Sequence, residues 1–209
     1  MNTSHYTCWM SEARASNPDL VGEKGVELNQ LAASGTPIPP GFCITVDAYN
    51  YLLKVTGLNM PIDRMLAETN FEDQQAVETQ ALAIRELIKD QPIPREIASE
   101  VLESYNILGR LMGLQHLESM LVSVSPSFPN IETARLLSLD WVKTYPNVQG
   151  GCSILKHTRC CWASLWSARF LKELQHPEID HSDVKIAVVV QALEIPTAGP
   201  EFITAEMAA

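Results

Sequence analysis

The segment LVGEKGVELNQLAASGTPIPPGFCIT, residues 20–45, changes backbone regime twice within a short stretch. Residues 22–33 read as a helix, with Val26, Leu28 and Leu31 available for packing and Gly35 placed to cap its C-terminal end. Pro37, Pro39 and Pro40 then forbid helix and mark a turn. Residues 42–46 follow as a short strand. Lys24 lies between Gly22 and Gly25 at the start of the helix. Free backbone N–H groups and the helix dipole favour an anion at such a place. A solvated surface lysine is the plain alternative.

On the N-terminal side, residues 1–18 are polar and read as loose, and a flexible lead-in over 1–19 is expected. On the C-terminal side, Asp47 can cap a helix over 48–55. Residues 61–109 read as helical, an insert in the domain, with Pro61 and Pro94 in first-turn positions. Val77, Ala81, Ile84 and Ile88 form one apolar stripe, and Ile97, Val101, Tyr105 and Leu108 another. Residues 121–124 are a strand candidate that Pro126 and Pro129 interrupt. After the turn at Gly150 and Gly151, residues 153–174 read as one helix carrying Trp162, Leu165, Trp166 and Phe170 to a core. Residues 184–193 form a buried strand, and 201–204 are placed to pair beside it. This order predicts an α+β fold, helix-rich with a small mixed or antiparallel sheet.

The chain has 209 residues, 46% of them hydrophobic and 19% charged, a composition able to bury a core. The net charge of -10 repels phosphate backbones, so nucleic acid is not an expected partner. No apolar run has the length of a membrane span, and no apolar leader opens the chain. Five cysteines without a Cys-x-x-Cys pair fit reduced thiols and a cytoplasmic location. Cys152, His157, Cys160 and Cys161 lie close in sequence, but adjacent Cys160 and Cys161 point to different faces. The cluster reads as small buried hydrophobes, and no metal site is expected.

Several segments together resemble a known family. Residues 20–28 and 35–45 are similar to the opening of phosphoenolpyruvate synthases. Pro92-Ile93-Pro94 through Tyr105 is similar to a helix of that family. Arg159-Cys160-Cys161-Trp162-Ala163-Ser164-Leu165-Trp166 matches a family motif closely, and residues 179–191 match a family strand ending at Gln191. The resemblance covers nearly all of the chain beyond residue 19. It is to the N-terminal ATP-binding, ATP-grasp domain of the phosphoenolpyruvate synthase and pyruvate, phosphate dikinase family, in a truncated and degenerate form.

The resemblance implies that residues 20–209 are the first part of an ATP-grasp domain and that ATP is the cofactor. Lys24 matches the family lysine that contacts ATP phosphates. Counting back without gaps from Cys161-Trp162 puts Ser125 in place of the family's next phosphate ligand, an arginine. A neutral hydroxyl lacks that residue's charge and forked donors. The same frame keeps Thr144, Asn147 and Val148 of a family loop, but replaces its glycine by Asp140 and its glutamine by Trp141. Gln191 matches the strand leading to the adenine hinge, which places Leu193 and Glu194 near it. Bonding of Gln191 to nearby backbone is the plain alternative. The family's metal-binding acids and phosphohistidine have no counterpart here, so magnesium is expected only with a complementing second half. The implied function is the ATP-binding portion of a kinase-type phosphotransferase, not active alone. The alternative is a catalytically dead pseudoenzyme acting as an interaction or regulatory module. A second chain completing the grasp, or a homodimer, is the implied partner.

Overall fold

The computed structural model describes residues 6–114, 120–129, 143–174 and 185–194. Strand β1 (Thr7–Trp9) and a 3-10 turn (Ala13–Ser16) lead into helix α1 (Pro18–Ala33). Strand β2 (Gly41–Ile44) precedes helices α2 (Val46–Thr56), α3 (Asn59–Ala67), α4 (Gln74–Lys89) and α5 (Arg95–Leu111). Strands β3 (Leu121–Ser127) and β4 (Tyr145–Gln149), helices α6 (Gly151–Ser164) and α7 (Ala168–Glu173), and strand β5 (Ala187–Ala192) follow. The five strands form one sheet in the order β1-β2-β5-β3-β4. Every neighbouring pair is antiparallel. The fold is α+β, as the pattern of elements predicts.

Alternation along the strands gives the sheet two faces. Phe42, Ile44, Val122, Val124, Val148, Val188 and Val190 join the main core with side chains from α2 through α7. Both predicted stripes, on α4 and α5, are fully committed to this core. The opposite face is covered in part by α1. There Cys8, Met10, Ala15, Val21, Cys43 and Val189 form a smaller cluster, with Leu20, Val26 and Leu28 against it.

The structure corrects the expected elements in several places. Residues 6–16 are not loose. Cys8 and Met10 bury beneath α1, and the Asn29 amide donates to the Met10 and Glu12 carbonyls at 2.6 and 3.1 Å. The stretch 61–109 is three helices. Asp73 caps α4 by accepting from the Gln75 and Ala76 amides, and Pro92 and Pro94 prevent α4 from running on into α5. Thr45, not Asp47, is the N-cap of α2, and Asp47 lies in its first turn. The helix expected over 153–174 breaks at Leu165, and Ser167 caps α7 through the Phe170 amide at 3.1 Å.

Pro126 does not interrupt β3. The Leu193 amide donates to the Leu121 carbonyl, so bonded and non-bonded pairs alternate from there. Pro126 falls opposite Val188 at a position where its nitrogen faces away from β5, and β4 stops pairing at Val124. A missing N–H costs nothing where no acceptor faces it. The strand proposed over 201–204 lies outside the described residues.

Arg159 of α6 ties two layers together. Its Nη1 donates to the Lys89 and Gln91 carbonyls at 2.7 and 2.9 Å, which satisfies the C-terminal end of α4. Removing these charge-assisted bonds by Arg159→Ala is expected to lower the unfolding free energy in urea by about 1–3 kcal/mol. Arg159→Lys should recover only part of this, because one ammonium group cannot reproduce the planar fork.

Candidate functional site

Lys24 is held by a turn that strand β3 grips. Gly22 interrupts α1 with φ 72° and ψ 168°, and the helix resumes at Glu23. The Glu23 amide donates to the Phe128 carbonyl at 2.8 Å, and the Gly25 amide donates to Ser127 Oγ at 3.3 Å. These two donors are therefore already satisfied by protein. A β-carbon on Gly22 would stand 2.2 Å from Ser127 Oγ and 2.6 Å from the Ser127 carbonyl carbon. Only glycine lets the turn approach β3 this closely.

From this turn Lys24 Nζ donates to Ser125 Oγ at 2.7 Å. Lys24 is half-buried, and Ser125 is 1% exposed. Burial depresses the Lys24 pKa, and the Cys161 thiol, the Glu27 carboxylate and the Cys43 thiol oppose that shift. Among the described residues no carboxylate forms an ion pair with Lys24. The site thus holds a partly desolvated cation whose hydrogen-bond partner is a neutral hydroxyl. Such a cation favours an added anion more than a solvated lysine does.

The other anticipated residues fall along the same face. Ser125 pairs with Val189, Ser123 with Gln191, and the Leu121 carbonyl bonds the Leu193 amide. Strand alternation puts Leu121, Ser123, Ser125, Gln191 and Leu193 on the face that carries Lys24. From Ser125 to Leu121 the row runs about 13 Å. Gln191 Nε2 donates to the Pro39 carbonyl at 3.0 Å, so its amide is engaged with the backbone of the proline turn. Gly41, opposite Gln191, lets the β5 backbone lie close to β2, since a β-carbon there would lie 2.4 Å from the Val190 carbonyl oxygen. Leu121 and Leu193 are each 40% exposed at the far end of the row.

Thr144 is exposed and directly precedes Tyr145, which pairs with Val124. It therefore stands at the Ser125 end of β4. Asn147 takes φ 58°, a left-handed conformation that asparagine tolerates. Asp140 and Trp141 lie outside the described residues. Ser127 and Phe128, which grip the lysine turn, were not singled out from sequence. The only signal for them is Gly22 and Gly25 three residues apart, which marks a close approach without naming its partner.

The cysteines near the site take separate roles. Cys161 is buried and its thiol is pushed up by burial, Cys160 is half-buried, and Cys152 is exposed. His157 Nδ1 lies 2.7 Å from the Ser153 carbonyl, and its ring packs on Tyr145. Among the described residues no three His, Cys, Asp or Glu side chains converge to hold a metal ion. No helix among the described residues is long and apolar enough to cross a membrane.

A lysine on a glycine-hinged helix, set over one face of an antiparallel sheet, is an arrangement suited to an anionic ligand laid along the strands. Residues 18–199 match the family model described as pyruvate phosphate dikinase, AMP/ATP-binding domain, and the chain belongs to that family. Over 188 residues it is 29% identical to a protein of Methanothermobacter thermautotrophicus named probable phosphoenolpyruvate synthase, covering 90% of this chain and 27% of that protein. It is 30% identical to the phosphoenolpyruvate synthase of Aeropyrum pernix, over 88% of this chain and 22% of the relative. It is also 30% identical to the rifampicin phosphotransferase of Streptomyces sviceus, over 98% of this chain and 23% of the relative. The chain therefore spans about a quarter of the length of these proteins.

Proposed function

We propose that this chain is the ATP-binding portion of a phosphoenolpyruvate-synthase-like phosphotransferase and that it does not complete phosphoryl transfer alone. The nucleotide lies along the open sheet face, its phosphates at Lys24 and Thr144 and its base toward Gln191 and Leu193. The row from Ser125 to Leu121 has the scale of an extended nucleoside triphosphate. The observation that carries this reading is the half-buried Lys24 amine, bonded to Ser125 and in no ion pair with a carboxylate among the described residues.

The same contact supports the limit on activity. Phosphoryl transfer depends on several positive groups clamping the transferred phosphate. Here the position that the family resemblance assigns to an arginine is Ser125. A second chain supplying the rest of the site, with magnesium, would complete it. Binding in the cytoplasm is part of this proposal.

A second reading, an interaction module without catalysis, draws support from the Glu23 and Gly25 amides. They are spent on the Phe128 carbonyl and the Ser127 hydroxyl and are not free to cradle a phosphate.

Isothermal titration with ATP, with and without magnesium, separates the two. Wild type is expected to bind in the micromolar range. Lys24→Ala is expected to weaken binding about 10- to 100-fold, the loss of one charge-assisted contact. Absence of heat and of a thermal shift in wild type would remove the nucleotide reading for the chain by itself and leave the interaction module.

A further inference from the structure

Cys8 of β1 and Cys43 of β2 are direct cross-strand partners. The Thr45 amide donates to the Tyr6 carbonyl at 3.0 Å and the Met10 amide to the Gly41 carbonyl at 3.3 Å. Cys8 lies midway between these bonds, so Cys8 and Cys43 occupy a hydrogen-bonded pair of the ladder. The Cα atoms of such a pair are about 5.5 Å apart. That value falls inside the range of about 4.4–6.8 Å that a disulfide spans. Both side chains point to the same face, in the small cluster beneath α1, and both thiols are free and fully buried.

We propose that Cys8 and Cys43 are a redox-active pair that closes to a disulfide when the protein meets a peroxide-class oxidant, fastening the N-terminal strand to the sheet beneath the helix that carries Lys24. The pair's surroundings are apolar. Val21, Ala15, Met10 and Val189 share the cluster. A neutral disulfide suits that setting, whereas a thiolate does not. Burial pushes the Cys8 thiol up to about 12 and the Cys43 thiol higher still, so the closed form reacts slowly.

Access comes through β1. It is three residues long and, among the described residues, lies at the sheet edge and pairs with β2 alone. Opening must release the side chains that hold its outer edge, Glu100 on the Tyr6 amide and Glu12 on the Trp9 amide, both at 2.8 Å, so it is infrequent and sets the rate of oxidation. In the opened form the Cys8 thiol reduces hydrogen peroxide, giving Cys8 sulfenic acid and one water. When β1 closes, the Cys43 sulfur attacks the Cys8 sulfur. The S–S bond forms, the hydroxyl leaves with the Cys43 proton as a second water, and both electrons have passed to the peroxide.

The test uses the full chain in the Cys152→Ser background, which removes the exposed cysteine. The folded protein is treated with hydrogen peroxide, alkylated without reductant and digested with trypsin. Cleavage after Arg14, Lys24 and Lys54 puts Cys8 in peptide 1–14 and Cys43 in peptide 25–54. The expected product, from protein that stays monomeric on a non-reducing gel, is these two peptides joined, with two hydrogens lost and with complete reversal by dithiothreitol. Cys8→Ser should abolish the link and leave Cys43 alkylated. Recovery of both cysteines alkylated after native oxidation, or of Cys43 joined to Cys160 or Cys161, would overturn the proposal.

Discussion

Gly22→Ala is expected to destabilise the chain by roughly 3–5 kcal/mol, a large part of a typical domain's stability. Two terms contribute. With φ 72° and ψ 168°, Gly22 occupies a backbone region that is essentially closed to other residues, at a cost of about 1–3 kcal/mol. The added β-carbon would also meet the Ser127 carbonyl carbon at 2.6 Å and its oxygen at 2.7 Å. These are backbone atoms of a strand paired with β5, so they cannot rotate away as a side chain could. Relieving such an overlap costs about 1–3 kcal/mol more. Gly35→Ala is the control, because Gly35 also has positive φ, 77°, but nothing lies within 4 Å of its added carbon. It should cost only about 1 kcal/mol. Urea unfolding of both variants separates backbone conformation from overlap. A Gly22→Ala midpoint no lower than that of Gly35→Ala would show that β3 yields to the turn and that the grip on Lys24 is loose.

How far the sequence reached depends on the range of the interactions involved. The stripes on α4 and α5 were legible because a 3.6-residue period over four turns has no other simple reading. The strand at β5 was legible as a short β-branched run. Strand β1 was not, since three residues show no period and its pairing with β2 is decided more than thirty residues away. Pro126 misled because its effect on a strand depends on which side its nitrogen faces, and that is set by register with β5. At the site, Lys24 was a weak signal alone and Ser125 came from an ungapped count. Their hydrogen bond joins residues 101 apart in the chain, and no local pattern contains it. Gln191 shows the same limit. Its place on β5 was readable, but its bond to the Pro39 carbonyl required the proline turn to fold back on the strand.

Trp162→Ala should carry the other large effect, about 3–5 kcal/mol. Trp162 is among the largest fully buried side chains, and its ring lies 5.9 Å from that of Tyr49 on α2. It therefore fills the space where α6 meets α2 over the sheet. Its neighbour Trp166 is secured differently, with Nε1 donating to the Tyr49 hydroxyl at 3.0 Å. Trp162 Nε1 has no hydrogen-bond partner among the described residues, so its contribution there is packing rather than hydrogen bonding. Trp162→Phe tests this distinction. It shrinks the ring but removes a buried donor that has no acceptor among the described residues, so its cost should be well under half that of Trp162→Ala. If the two variants unfold at the same urea concentration, an acceptor must hold the indole and the packing argument fails. The consequence reaches the site through the sheet. Val122, Val124, Val188 and Val190 belong to the same core as Trp162, and the alternate residues of those strands carry Ser123, Ser125 and Gln191. Loosening the helical layer behind β3 and β5 removes the backing that holds Ser125 under Lys24, so the proposed ATP binding should weaken in Trp162→Ala while Lys24 itself is untouched.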